Sequence, residues 1–158
     1  MLDLLSLVSF CAPHIAANTM VSLIQTESSG NPLVVNDNTN KTAYFPKDTK
    51  EAVLLSYVLL KKGQNLDFGL TQLNIKNARK FNLTLNKLFD PCENIKYGAL
   101  ILSENFKLTS RNTDNKQAAL LQALSMYNSG NPHRGFSNGY VKKVLDRAKV
   151  ININPNKY

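Results

Sequence analysis

Tryptophan is absent, cysteine and histidine occur twice each, and only four of the 19 cationic residues are arginine. Each shortage removes a class of chemistry. Cys11, Cys92, His14 and His133 are too few and too scattered for a zinc site, and neither histidine has an i, i+4 partner, so no metal is expected. Neither cysteine lies in a nucleophile signature with a histidine, and no Gly-x-Ser-x-Gly elbow occurs. No glycine-rich loop after a strand offers a phosphate cradle, so no cofactor is expected either. With so little arginine for bidentate base and phosphate contacts, a sequence-specific nucleic-acid partner is disfavoured. No apolar run approaches the ~20 residues that cross a bilayer. The apolar start, Leu2 to Phe10, carries Asp3 and lacks a preceding basic segment, which makes it a poor signal peptide. Either a signal lies upstream and is removed, or the protein is cytosolic.

What is present describes one globular domain. The chain has 158 residues, 43% hydrophobic and 19% charged, enough for a self-sufficient core over residues 1–150. Its 19 Lys and Arg against 11 Asp and Glu leave +8, a surface suited to an acidic matrix or partner. One disulfide in an oxidising compartment and two buried thiols are equally compatible with two cysteines.

Hydrophobic spacing predicts a mainly helical chain. Asp3 to Ala12 reads as a short amphipathic helix, with Leu4, Leu5, Val8 and Cys11 facing in. Asn18 suits the N-cap of a second helix from Thr19 to Ser28, which Gly30-Asn31-Pro32 stops. Leu33 to Ala43 is extended, giving a small β element near residues 33–45 with a turn near Asn38. Asp48 to Glu51 opens a third helix to about Lys62, apolar nearly all round and therefore expected to be well buried. Asn65 to Leu73 is irregular or extended, and a short helix follows Asn74. Asp90-Pro91-Cys92-Glu93 is the clearest helix start, with Ile95, Ala99, Leu102 and Phe106 as its core stripe and Gly98 allowing close approach. Lys116 to Tyr127 and a last helix from Ser137 or Asn138 complete the set. Residues 151–158 read as a flexible tail.

Three polar nodes interrupt the apolar stretches. Met20, Leu23, Ile24 and Glu27 follow i, i+3, i+4 and i+7, so Glu27 continues a core-facing stripe. An acid there loses solvation in its charged form, which raises its pKa and suits it to proton transfer near neutrality. Singly, such a residue is more often a solvated acid at a helix end. The other nodes are Gly69-Leu70-Thr71-Gln72 and Tyr127-Asn128, each at or beyond the end of a core helix.

In this order, Glu27-Ser28, then Gly69-Leu70-Thr71-Gln72-Leu73-Asn74, then Ala123 to Gly130 resemble the motifs of soluble-type lytic transglycosylases, which share the goose-type lysozyme-like fold. The Cys11-Ala12-Pro13 start, the insert between the first two motifs, Phe89-Asp90-Pro91-Cys92 and Gly139-Tyr140-Val141 are similar to the transglycosylases of type IV secretion and conjugation systems. The likeness covers about residues 3 to 149.

The resemblance implies cleavage of the bond between N-acetylmuramic acid and N-acetylglucosamine in peptidoglycan, with a 1,6-anhydro product. Glu27 would be the single acid and base, with Ser28, Gly69, Thr71, Gln72, Tyr127 and Asn128 contacting substrate or ordering the site. Thr71 stands where the family commonly has Met. The likeness also implies a Cys11–Cys92 bridge, a periplasmic location, and glycan strands and secretion-system components as partners. The enzymatic rival is a hydrolase using Asp37 or Asp67 as second carboxylate. The non-enzymatic rival is an assembly factor that only binds the wall.

Overall fold

The computed structural model describes residues 3–153, which pack as two compact units. One holds residues 27–98; the other holds residues 3–26 with 99–153.

The 27–98 unit contains the sheet. Strands β1 (Val35–Asp37), β2 (Thr42–Tyr44), β3 (Leu66–Phe68) and β4 (Leu73–Asn74) pair antiparallel in the order β2-β1-β3-β4. Val35 stands opposite Tyr44 on one side and Phe68 on the other. The expected turn near Asn38 is made by Asp37, whose Oδ1 accepts from the Thr39 and Asn40 amides at 2.9 and 3.1 Å. Lys41 completes it with a left-handed φ of 54°. The second pair, β3 and β4, falls in the passage read as irregular or extended. Strands of two or three residues are too short to show a period of two.

The third helix, α3 (Thr49–Lys61), begins at Asp48 as expected, and Asp48 Oδ1 accepts from the Glu51 amide at 2.8 Å. Its predicted burial is wrong. Only Ala52, Ser56 and Leu59 are buried, a single i, i+4, i+7 stripe, while Leu54 (62%), Tyr57 (53%) and Val58 are exposed. An all-round apolar composition does not reveal how many faces a helix has to cover. Helix α4 (Ile75–Lys80) starts on the Asn74 cap. The following helix, α5 (Leu85–Phe89), has no counterpart in the sequence reading; Thr84 caps it, and Phe89 meets the Phe68 ring edge-on at 5.8 Å.

Two long helices run through both units. Helix α2 (Ala17–Ser28) starts two residues before its expected first residue, so Asn18 lies inside its first turn. Helix α6 (Pro91–Thr109) starts where predicted, with Asp90 Oδ1 accepting from the Glu93 amide at 2.8 Å. Of its expected stripe, Ile95, Ala99 and Leu102 are buried, while Phe106 is only half-buried.

The other unit is helical: α1 (Leu4–Cys11), α7 (Lys116–Ser129), α8 (Arg134–Ser137) and α9 (Tyr140–Ile153) join the first part of α2 and the last part of α6. Helix α9 overruns the expected tail boundary at 151. Val141, Val144 and Ile151 are all buried, so the helical period continues past residue 150. The remainder of that segment, residues 154–158, lies outside the described residues. Cys11 and Cys92 are both disulfide-bonded. No helix among the described residues is long and apolar enough to cross a membrane.

Candidate active site

Met20, Leu23 and Ile24 are fully buried on α2, and Glu27, next in the stripe, is half-buried in the last turn. The helix ends directly beyond it, where Ser29 and Gly30 take left-handed φ values of 54° and 80°. Asn31 Oδ1 then accepts from the Leu33 amide at 2.9 Å. These bonds fix the turn after the acid.

Ser28 ties that helix end to the second motif. Its Oγ donates to the Leu70 carbonyl at 2.8 Å and accepts from the Gly30 amide at 3.2 Å. Leu70 belongs to a tight loop that enters through Gly69 at φ 71° and leaves through Gln72 at φ 52°. A left-handed glutamine is disfavoured by about 1 kcal/mol, so the surroundings must hold it. Gln72 Nε2 donates to the Gly69 carbonyl at 2.9 Å, and its Oε1 accepts from Asn36 Nδ2 at 2.6 Å. Gln72 as a whole is only 9% exposed.

Thr71 and Gly69, expected to contact substrate or order the site, are both buried in this structure. Thr71 is 0% exposed: its amide donates to Asn94 Oδ1 at 2.8 Å, and its Oγ1 donates to the same oxygen at 2.7 Å. Gly69 is buried too, and a Cβ there would stand 2.6 Å from Asn94 Nδ2 and 2.9 Å from the Leu88 carbonyl. Both residues order the loop from beneath. Gly98 permits this, because a Cβ there would lie 2.5 Å from Thr71 Oγ1. The close approach expected at Gly98 is therefore made to Thr71.

Asn94 is the residue the sequence reading missed. It is buried, its Oδ1 accepts twice from Thr71, and its Nδ2 donates to the Phe68 and Leu88 carbonyls at 2.9 and 2.8 Å. A polar residue four before Gly98 and beside Ile95, on the core side of α6, was the available signal.

The third motif lies in the other unit. Tyr127 is half-buried near the end of α7, and Asn128 is exposed, its Oδ1 accepting from Asn138 Nδ2 at 2.7 Å. Beneath them Ser125 Oγ accepts from the Gly135 amide at 2.7 Å and donates to the Asn131 carbonyl at 2.6 Å. Gly130, left-handed at φ 71°, caps the helix.

The two other carboxylates considered for catalysis have evident structural duties. Asp37 is 1% exposed and, besides the turn amides, accepts from Asn40 Nδ2 at 2.8 Å. Asp67 receives Asn38 Nδ2 on one oxygen and Asn74 Nδ2 on the other, at 2.8 and 2.7 Å. Burial raises its pKa above the usual 3.8, and the two amide bonds only partly oppose that. Among the described residues no group of three or more His, Cys, Asp or Glu could hold a metal ion.

A mainly helical domain with a small antiparallel sheet, and an acid at a helix end tied to a glycine-glutamine loop, is the lysozyme-like class of architecture. The chain belongs to the family of the transglycosylase SLT domain, which it matches over residues 8–150. Within that family it is similar to protein virB1 of Rhizobium radiobacter, at 35% identity over 141 residues, 89% of this chain and 59% of the relative. It is also similar to the type IV secretion system protein virB1 of Brucella abortus (strain 2308), at 34% over 156 residues, 95% of this chain and 66% of the relative. The chain thus spans about three-fifths to two-thirds of the length of these relatives. No solved structure matches it.

Proposed function

We propose that the chain is a peptidoglycan lytic transglycosylase in which Glu27 is both acid and base. The observation that carries this reading is the bond from Ser28 Oγ to the Leu70 carbonyl, which joins the acid's helix end to the Gly69–Gln72 loop. An acid at a helix end that is tied to an ordered loop can serve a reaction needing one positioned carboxyl. Protonated Glu27 gives its proton to the glycosidic oxygen as the bond from muramoyl C1 breaks. The substrate's own N-acetyl oxygen bonds to C1 in its place. Ionised Glu27 then takes the proton of the muramoyl 6-hydroxyl as O6 displaces the acetamido oxygen from C1. Glu27 ends as it began, no water is consumed, and the product is a 1,6-anhydro sugar. Such a reaction needs no second carboxylate, in keeping with the structural engagement of Asp37 and Asp67.

In this reading Gln72, Ser28, Tyr127 and Asn128 meet or order the glycan, the last two on motif likeness alone, while Gly69 and Thr71 position the loop. One family match covers residues 8–150, which supports reading that stretch as a single transglycosylase domain. The similarity to secretion-system proteins supports local opening of the wall for a type IV secretion or conjugation apparatus. The disulfide suits the oxidising periplasm, and a charge of +8 suits a polymer bearing peptide carboxylates.

Glu27→Gln tests the reading, because the amide keeps the shape and removes the transferable proton. Wall clearance should fall at least about a hundredfold with the thermal midpoint unchanged. Clearance at the wild-type rate would favour the alternative, a wall-binding assembly factor with an idle site.

A further inference from the structure

The unit formed by residues 3–26 and 99–153 holds a concavity, a groove of about 600 Å³ that none of the motif residues lines. Its walls come from the α1–α2 connection, the second half of α6 and the first turns of α7. Leu102, Phe106, Leu120 and Ile15 make an apolar floor, and Leu102 is fully buried beneath it. The exposed Lys107 and Lys116 stand on the rim, with Gln117 beside them. No Asp or Glu is among the lining residues. The acids nearest in sequence, Glu104 and Asp114, are not in its walls, and neither rim lysine makes an ion pair with a described residue. Apolar walls with cations of one sign along the rim complement a segment that is apolar on one face and acidic at its edges.

We propose that this groove docks an acidic amphipathic helix of a partner protein. Its apolar side chains fill the floor between α6 and α7, and its carboxylates pair with Lys107 and Lys116. The groove is the size of a ligand site, but its open form and exposed rim suit side chains projecting from a helix better than an engulfed small molecule.

The test is a charge swap read by fluorescence anisotropy. The probe is a labelled helical peptide of about 18 residues with Leu at i, i+3, i+4 and i+7 and Glu on both flanks, beside a twin with Lys flanks. The wild-type chain should bind the Glu peptide and not the Lys peptide. Lys107→Glu with Lys116→Glu should weaken the Glu peptide about tenfold or more and admit the Lys peptide. Lys107→Ala with Lys116→Ala should weaken the first without admitting the second. Wall clearance and thermal midpoint should be unchanged in both variants, which separates a failed groove from a failed fold or active site. Equal binding of both peptides, a preference that the swap does not reverse, or no binding at all would overturn the proposal. So would laurate binding without peptide binding, which assigns the groove to a small amphiphile, or a dimer lost in the swap variant, which assigns it to a second copy.

Discussion

Replacing Asn94 by alanine should destabilise the 27–98 unit far more than an ordinary helix substitution. The side chain makes four bonds, two accepted from Thr71 and two donated to the Phe68 and Leu88 carbonyls, all buried. Each contributes about 1 kcal/mol net, and the truncation strands the Thr71 amide and both carbonyls away from water. Alanine regains about 0.5 kcal/mol of helix propensity. The expected loss is therefore about 3–4 kcal/mol, a large share of the roughly 5–15 kcal/mol available to a domain. In thermal terms it is a fall of about 10 °C. Urea unfolding of both proteins measures it, and a double-mutant cycle with Thr71→Val sharpens it. Thr71→Val alone removes the hydroxyl bond to Asn94 Oδ1 and the longer one to the Asn94 backbone carbonyl at 3.2 Å, about 1 kcal/mol in all, and in the Asn94→Ala background, where only the carbonyl remains as partner, it should cost clearly less. A loss below about 1 kcal/mol, or strictly additive effects, would refute the claim that Asn94 holds the loop beneath Gln72.

Ser28→Ala strands the Leu70 carbonyl, so stability should fall by about 1 kcal/mol while kcat on purified wall falls about tenfold with little change in KM; equal activity would show that the bond does not set the acid's pose. Asp67 has a folded pKa above its usual 3.8, so its contribution to stability is full below that pH and is lost as pH rises through the raised value. Urea midpoints from acid to neutral pH, wild type minus Asp67→Asn, should therefore decline over that window and then level off; a rising difference would contradict the assignment. Reducing the disulfide should lower stability by roughly 4 kcal/mol on the chain-entropy view, read as the urea midpoint with and without reductant, and an unchanged midpoint would contradict it.

Much of this architecture was legible because helices announce themselves over long windows. Asp90-Pro91-Cys92-Glu93 marked the start of α6, and Asp48 with Glu51 marked α3, since capping chemistry is local. The strands β3 and β4 and the helices α5 and α8 were not legible, being two to five residues long, below the length at which periodicity is measurable. Exposure failed for α3 because an apolar sequence does not say which faces are covered, and those of Leu54 and Tyr57 stay largely exposed. For the candidate site, the ordered motifs pointed to Glu27 and Gln72, whose segments are joined by the bond from Ser28 Oγ to the Leu70 carbonyl. They did not show that Thr71 points inward, because that depends on Asn94 and Gly98, more than twenty residues away and brought beneath the loop only by folding.

In the proposed reaction Glu27 directs an internal hydroxyl, not water, onto muramoyl C1. Digestion of purified sacculi in heavy-oxygen water, followed by mass analysis of the muropeptides, tests it directly. The expected products are 1,6-anhydro muropeptides that lack the mass of one water and carry no heavy oxygen at C1, and they should disappear in Glu27→Gln. Reducing-end products carrying one heavy oxygen would contradict it and identify a hydrolase.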